Sequence, residues 1–150
     1  MEDRVQKVLI VEDDFMIADM VEEVLVANGY EVCGMAAMVS EGVALCRLHN
    51  PDLVILDLRL AGGELGTNLA AQLVPHGKLG ILYATGNRSQ EALTAADGHA
   101  CINKPYSAQD LLRGLQLVTQ IVETGRAIPP LPLGFHILLP ASTDSEGMVS

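Results

Sequence analysis

Four charged side chains and one hydroxyl mark the ends of apolar runs in this sequence. Glu12 and Asp13 follow the run from Lys7 to Val11, and Asp57 closes the run from Asp52 to Leu56. Thr85 follows the stretch 78–84, and Lys104 follows 99–103. Short, uninterrupted, β-branched runs read as strands buried on both faces. If those strands are parallel neighbours, all five groups meet at one carboxyl edge. Three carboxylates converging there would repel each other strongly. A hard divalent cation relieves that repulsion, and Mg²⁺ suits the set because it takes a few carboxylates and leaves room for phosphate oxygens. Lys104 supplies a point positive charge for a phosphoryl group and Thr85 a hydroxyl donor. Asp57, on the central strand, is the natural nucleophile, since a carboxylate can form an acyl-phosphate. The transferred group would be stabilised by the cation and Lys104 rather than by acid–base chemistry.

The elements that must position these groups are legible in the spacing. After the first strand, Ile17, Met20, Val21, Val24 and Leu25 recur at helical spacing, with Asp19, Glu22 and Glu23 on the opposite face. Asn28 and Gly29 stop that helix. Residues 31–35 form a second strand, and Ser40 is placed to cap a helix running to about His49. Asn50-Pro51 breaks it before the third strand. A helix over 64–74 is closed by Pro75. A fourth strand covers 78–84, a short Ala-rich helix 89–96, and a fifth strand 99–103. Ser107 caps the last helix, with Asp110 three residues on. Strands alternating with helices through short loops imply a parallel sheet covered on both faces. The expected fold is α/β and flavodoxin-like: a doubly wound, five-stranded parallel sheet of order 2-1-3-4-5. Strands 1 and 3 are then adjacent, and ligands bind at the crevice outside their carboxyl ends.

The chain of 150 residues is the size of one domain. Hydrophobic residues at 49% and charged residues at 19% are an ordinary globular mix, which speaks against extensive disorder. The 9 Lys and Arg against 19 Asp and Glu leave a net charge of −10, the wrong sign for a nucleic-acid or anionic-membrane binder. No run of about 18 apolar residues is present, so no transmembrane helix is expected. The N-terminus lacks a secretory pattern. Cys33, Cys46 and Cys101 are widely spaced and odd in number, with no CxxC pair. A reduced, cytoplasmic chain is the corresponding expectation.

The segments Val8-Leu-Ile-Val-Glu-Asp13, Pro51-Asp-Leu-Val-Ile-Leu-Asp57, Ala84-Thr-Gly86 and Lys104-Pro105 resemble, in order and spacing, the receiver domain of bacterial two-component response regulators. The likeness spans about residues 5–124, so the domain is expected over 1–124, followed by a Pro-rich tail over 125–150. The resemblance implies that Asp57 is the phosphorylation site. It implies that Asp13 and Glu12 bind Mg²⁺, with the backbone carbonyl of Arg59 as a further ligand. Thr85 and Lys104 would each hold a phosphoryl oxygen, and the Lys104–Pro105 bond is often cis in the family. The implied donor is a sensor histidine kinase or histidine phosphotransferase, and output runs through an unknown downstream protein. Two positions depart from the pattern. Cys101 stands where the family usually carries Tyr or Phe, leaving Tyr83 and Tyr106 as the nearby aromatics, and the loop after Asp57 lacks the common Pro.

Each residue also has a plainer reading. Glu12, Asp13 and Asp14 suit a helix start, Thr85-Gly86 an ordinary turn, and Cys101 a small core position. Arg59 lines the site or is an exposed loop residue. On the last helix Leu111, Leu115, Val118 and Val122 form one stripe, Leu112 widens it, and Leu117 and Ile121 lie well round from it. That arc exceeds what one sheet face needs. The tail then covers it, a homodimer uses it through the last helix and tail, or the tail is a disordered end. No helix-turn-helix pattern appears in the tail, so direct DNA binding is not expected. Two other functions compete with the phosphoryl switch. A haloacid-dehalogenase-like phosphohydrolase needs a second Asp two residues past the nucleophile, where this chain has Arg59. A phosphorylation-independent interaction module retaining the fold is the other alternative, although Asp13, Asp57 and Lys104 are all present.

Overall fold

A computed structural model describes residues 4–73, 78–86 and 93–141. The elements run β1 (Lys7–Val11), α1 (Phe15–Ala27), β2 (Glu31–Ala36), α2 (Val39–His49), β3 (Leu53–Asp57), a 3-10 turn at Ala61–Gly63, α3 (Gly66–Leu73), β4 (Gly80–Thr85), β5 (Ala100–Asn103), α4 (Ala108–Thr124) and β6 (Phe135–Ile137). The sheet order is β2-β1-β3-β4-β5-β6. The first five strands are parallel in the expected 2-1-3-4-5 order, and β6 adds antiparallel to β5. The sheet is therefore six-stranded rather than five-stranded, because three residues of the tail pair with the β5 edge.

Side-chain alternation along the strands splits the core in two, since successive residues point to opposite faces. Val8, Ile10, Leu53, Ile55 and Leu82 pack against α1 and α4. Leu9, Val11, Val54, Leu56 and Tyr83 pack against α2 and α3. Burying a side chain of this size stabilises by roughly 1.5–3 kcal/mol, so both layers are needed to hold the strand ends in register.

The helix boundaries show where local chemistry decides an end and where it does not. Asp14 caps α1: its carboxylate accepts the amides of Met16 and Ile17. Ser107 caps α4 through the Asp110 amide, and Gly125 ends it in the left-handed conformation. Ser40 does not cap α2. The cap position is Met38, and Ser40 lies inside the first turn. The Ala37 amide just before the cap is held locally by Glu41, and the Val39 amide is held by Glu64 from the loop before α3. Half of the helix expected over 89–96 falls on residues outside those described, and Leu93 to Ala96 are not helical. The last residue of the 64–74 helix and the tail beyond Ala141 also lie outside them.

The tail covers part of the wide apolar arc of α4, on its Gly114 side. Arg113 donates to the carbonyls of Ile128 and Pro130, and the Ile128 amide donates to Gln120. Phe135 is buried in the same core layer as Leu117. It lies over Gly114, where a Cβ would meet the Phe135 ring at 3.4 Å. The stretch 126–137 thus turns back along α4 and ends as a strand on β5.

Candidate functional site

Strand register assembles the site. Val11 pairs with Leu56, so Glu12 and Asp57 emerge side by side from β1 and β3. Asp57 pairs with Ala84, which sets Thr85 one step further along β4. Thr85 pairs with Asn103, which brings Lys104 to the same edge. The Lys104 amide donates to the Thr85 carbonyl at 2.8 Å and fixes the end of β5 against β4. The Lys104–Pro105 bond is cis, as the resemblance implied.

Carboxylate oxygens of Glu12, Asp13 and Asp57 lie within 4.8 Å of one another. Glu12 and Asp57 are buried, and Asp13 is exposed at the mouth. Lys104 Nζ sits 3.1 Å from Glu12 Oε1 and 3.4 Å from Asp57 Oδ2. The other Glu12 oxygen accepts the Asp14 amide at 3.0 Å, which ties the cluster to the α1 cap. Burial pushes the Asp57 carboxyl up to about 7; Lys104 opposes the shift and Glu12 adds to it. Burial alone would lower Lys104, but the carboxylates of Asp57 and Glu12 outweigh it and hold the ammonium above its ordinary range. The cluster is therefore one in which a buried carboxylate is reluctant to ionise until positive charge approaches.

The oxygen-only donor set, three carboxylates converging on one point, is the chemistry a hard cation such as Mg²⁺ takes. Arg59 lies in the loop that folds back from β3. Its bridge partner is Leu65, and the bonds Leu60 N–H to Glu64 O and Gly66 N–H to Leu58 O close the loop. Gly66 is required there: a Cβ would stand 2.5 Å from the Asp57 carbonyl oxygen, so only glycine lets α3 start against the end of β3.

Thr85 is buried beside the cluster, and its hydroxyl donates to Asn103 Oδ1 at 3.4 Å. Asn103 was not among the residues singled out by pattern. Its only signal was its place immediately before Lys104. Of the two tyrosines near the Cys101 position, Tyr83 is fully buried and its hydroxyl donates to the Asp97 carbonyl at 2.8 Å. Tyr106 instead lies beside Lys104, with Ile17, Met20, Val21 and Pro105, around an open groove of about 420 Å³. Phe15 and Met16, at the first turn of α1, are 70% and 74% exposed. The acidic pocket therefore has an apolar rim.

A family model described as the response regulator receiver domain matches residues 8–116. The chain belongs to that family. This receiver is 33% identical over 120 residues to the transcriptional regulatory protein PdtaR of Mycobacterium tuberculosis, covering 75% of this chain and 56% of PdtaR. It is 27% identical over 113 residues to the chemotaxis protein CheY of Bacillus subtilis, covering 73% of this chain and 93% of CheY. It superposes on a CheY-like response regulator receiver domain protein from Methanospirillum hungatei with a TM-score of 0.71 and 30% identity, covering 81% of this receiver and 99% of that chain. It spans 56% of PdtaR and 46% of the regulator CitT of Bacillus subtilis, about half the length of those relatives. Among the described residues of the receiver, no helix is long and apolar enough to cross a membrane.

Proposed function

We propose that this receiver accepts a phosphoryl group on Asp57 from a phosphohistidine donor and signals by changing its protein contacts. The observation that supports this best is the bridging of Glu12 and Asp57 by Lys104 Nζ, at 3.1 and 3.4 Å, at the end of the central strand. An Asp57 oxygen attacks phosphorus in line, the new P–O bond forms as the P–N bond breaks, and the bonding pair leaves with the donor imidazole. Lys104 follows the charge onto a phosphoryl oxygen, and the Thr85 hydroxyl donates to another. Glu12, Asp13 and Asp57, with the Arg59 carbonyl, would hold Mg²⁺, which when bound supplies charge neutralisation for the carboxylates and the phosphoryl oxygens. The apolar rim of Phe15, Met16 and Met20 suits a helical donor laid across the mouth.

Receiver domains interact with histidine kinases or phosphotransferases, which makes one of these the donor class. A net charge of −10 disfavours direct contact with nucleic acid, so output runs through protein partners. A reduced, cytoplasmic setting suits three free cysteines and a phosphohistidine donor.

The test is intact mass after incubation with acetyl phosphate, with and without Mg²⁺, for the wild type and Asp57→Ala. The expected result is a Mg²⁺-dependent gain of one phosphoryl group that the variant loses. An equal gain in Asp57→Ala would overturn the assignment.

A further inference from the structure

We propose that the strap formed by residues 126–137 is released from the β5 edge when Asp57 is phosphorylated, through Thr85 and Asn103. The proposal rests on the phosphoacceptor reading above and concerns what that site controls. Asn103 is the residue that both the site and the strap use. Its side-chain oxygen accepts the Thr85 hydroxyl at 3.4 Å, and its backbone amide donates to the Gly134 carbonyl at 2.9 Å. Gly134, at a φ of 80° that favours glycine, lies against Asn103: a Cβ on it would be in ordinary contact with the Asn103 Cβ at 3.5 Å. One residue therefore joins the site hydroxyl to the point where the strap turns into β6.

The Thr85–Asn103 bond is long and neutral, whereas a phosphoryl oxygen on Asp57 is a charged and stronger acceptor. Turning the Thr85 hydroxyl toward that oxygen leaves the Asn103 side chain without this partner. The strap is held weakly enough to respond. β6 has three residues, and its flanks are tied by the Leu138 amide to His99 O at 3.0 Å and the Ala95 amide to Leu139 O at 2.8 Å. Its one deeply buried side chain is Phe135, seated over Gly114. Release would uncover the β5 edge and the Gly114 face of α4, an open strand edge beside an apolar surface that an extended partner segment can pair with. In the resting chain the strap fills that seat and so acts as its own inhibitor.

Amide exchange followed by NMR on the full chain tests this, with Mg²⁺ and beryllofluoride as the phosphoryl mimic and bound fluoride verified by fluorine NMR. The expected result is a roughly fivefold or greater acceleration at the Asn103, Leu138 and Ala95 amides, with no acceleration at the β1 and β3 amides. In Asn103→Ala the strap amides should no longer respond to loading. Bound fluoride with unchanged strap exchange would overturn the release while leaving the phosphoacceptor reading intact. A strap that still responds in Asn103→Ala would overturn the route. No bound fluoride together with no mass gain from acetyl phosphate would overturn the phosphoacceptor reading and this proposal with it.

Discussion

Lys104 Nζ lies 3.4 Å from Asp57 Oδ2, and the two residues reach that distance from strands separated by β4. The pair spans the mouth of the sheet over Thr85. It is also incomplete as a neutraliser, because the same ammonium serves Glu12 at 3.1 Å. Two buried carboxylates share this ammonium, and exposed Asp13 adds a third carboxylate at the mouth, which leaves the cluster poised toward additional positive charge.

Removing that excess negative charge should stabilise the fold. Burial and Glu12 hold the Asp57 carboxyl up at about 7. At about pH 8 without divalent cations, the ionised group is therefore disfavoured in the folded state, and Asp57→Asn is expected to gain on the order of 1–2 kcal/mol. Urea unfolding of the two proteins checks this. Added Mg²⁺ should raise the midpoint of the wild type more than that of the variant, because a ligand of the native state stabilises it by mass action.

The converse change removes the shared cation. Lys104→Ala leaves Glu12 and Asp57 facing each other, both buried. A loss of about 1–3 kcal/mol is expected, below the range for breaking a fully buried pair because Lys104 is partly exposed. Labelling by acetyl phosphate should also fall. A variant as stable as the wild type that labels equally well would show that Lys104 serves neither purpose.

A pH response is expected away from the site. His99 Nδ1 accepts the Ile81 amide at 3.0 Å, so the native ring is unprotonated there, and burial lowers its pKa below the ordinary 6.5. The unfolded chain then binds the proton more readily. The stabilisation is complete above pH 6.5 and is lost as pH falls from there toward the depressed folded value. Urea midpoints measured from roughly pH 8 down to pH 5 should decline in the wild type. His99→Asn, which keeps an acceptor and cannot titrate, should show a flatter decline over the same range.

The strap should matter to the isolated fold as well as to signalling. Phe135→Ala empties the seat over Gly114 and is expected to destabilise by about 3–5 kcal/mol. It should also uncover the apolar arc of α4. Sedimentation of the variant, and of a chain lacking residues 125–150, should then show more self-association than the wild type. Identical sedimentation of all three would show that the strap covers no adhesive surface.

Much of this architecture was written locally. The runs Lys7 to Val11 and Asp52 to Leu56 are apolar without interruption because both sheet faces are covered, and that pattern alone identifies parallel strands. Asp14, Ser107 and Gly125 are helix caps whose chemistry is independent of the rest of the chain. Asp57, Glu12, Asp13, Thr85 and Lys104 were legible for the same reason. A parallel sheet brings all its strand ends to one edge, so position along the chain is enough to predict convergence. The Ser40 cap failed because α2 begins at Val39, whose amide is held by Glu64 from a loop that lies beyond any local pattern.

Tertiary structure alone decided the remainder. The distances among Lys104, Glu12 and Asp57 depend on the stagger of β1, β3 and β5, which is set by side chains packed across the whole sheet. The role of Asn103 depends on a strand from the tail meeting β5. Three residues, Phe135, His136 and Ile137, carry no periodicity long enough to read as a strand. They become one because the β5 edge offers unpaired amides and carbonyls, and because Gly114 leaves room for the Phe135 ring.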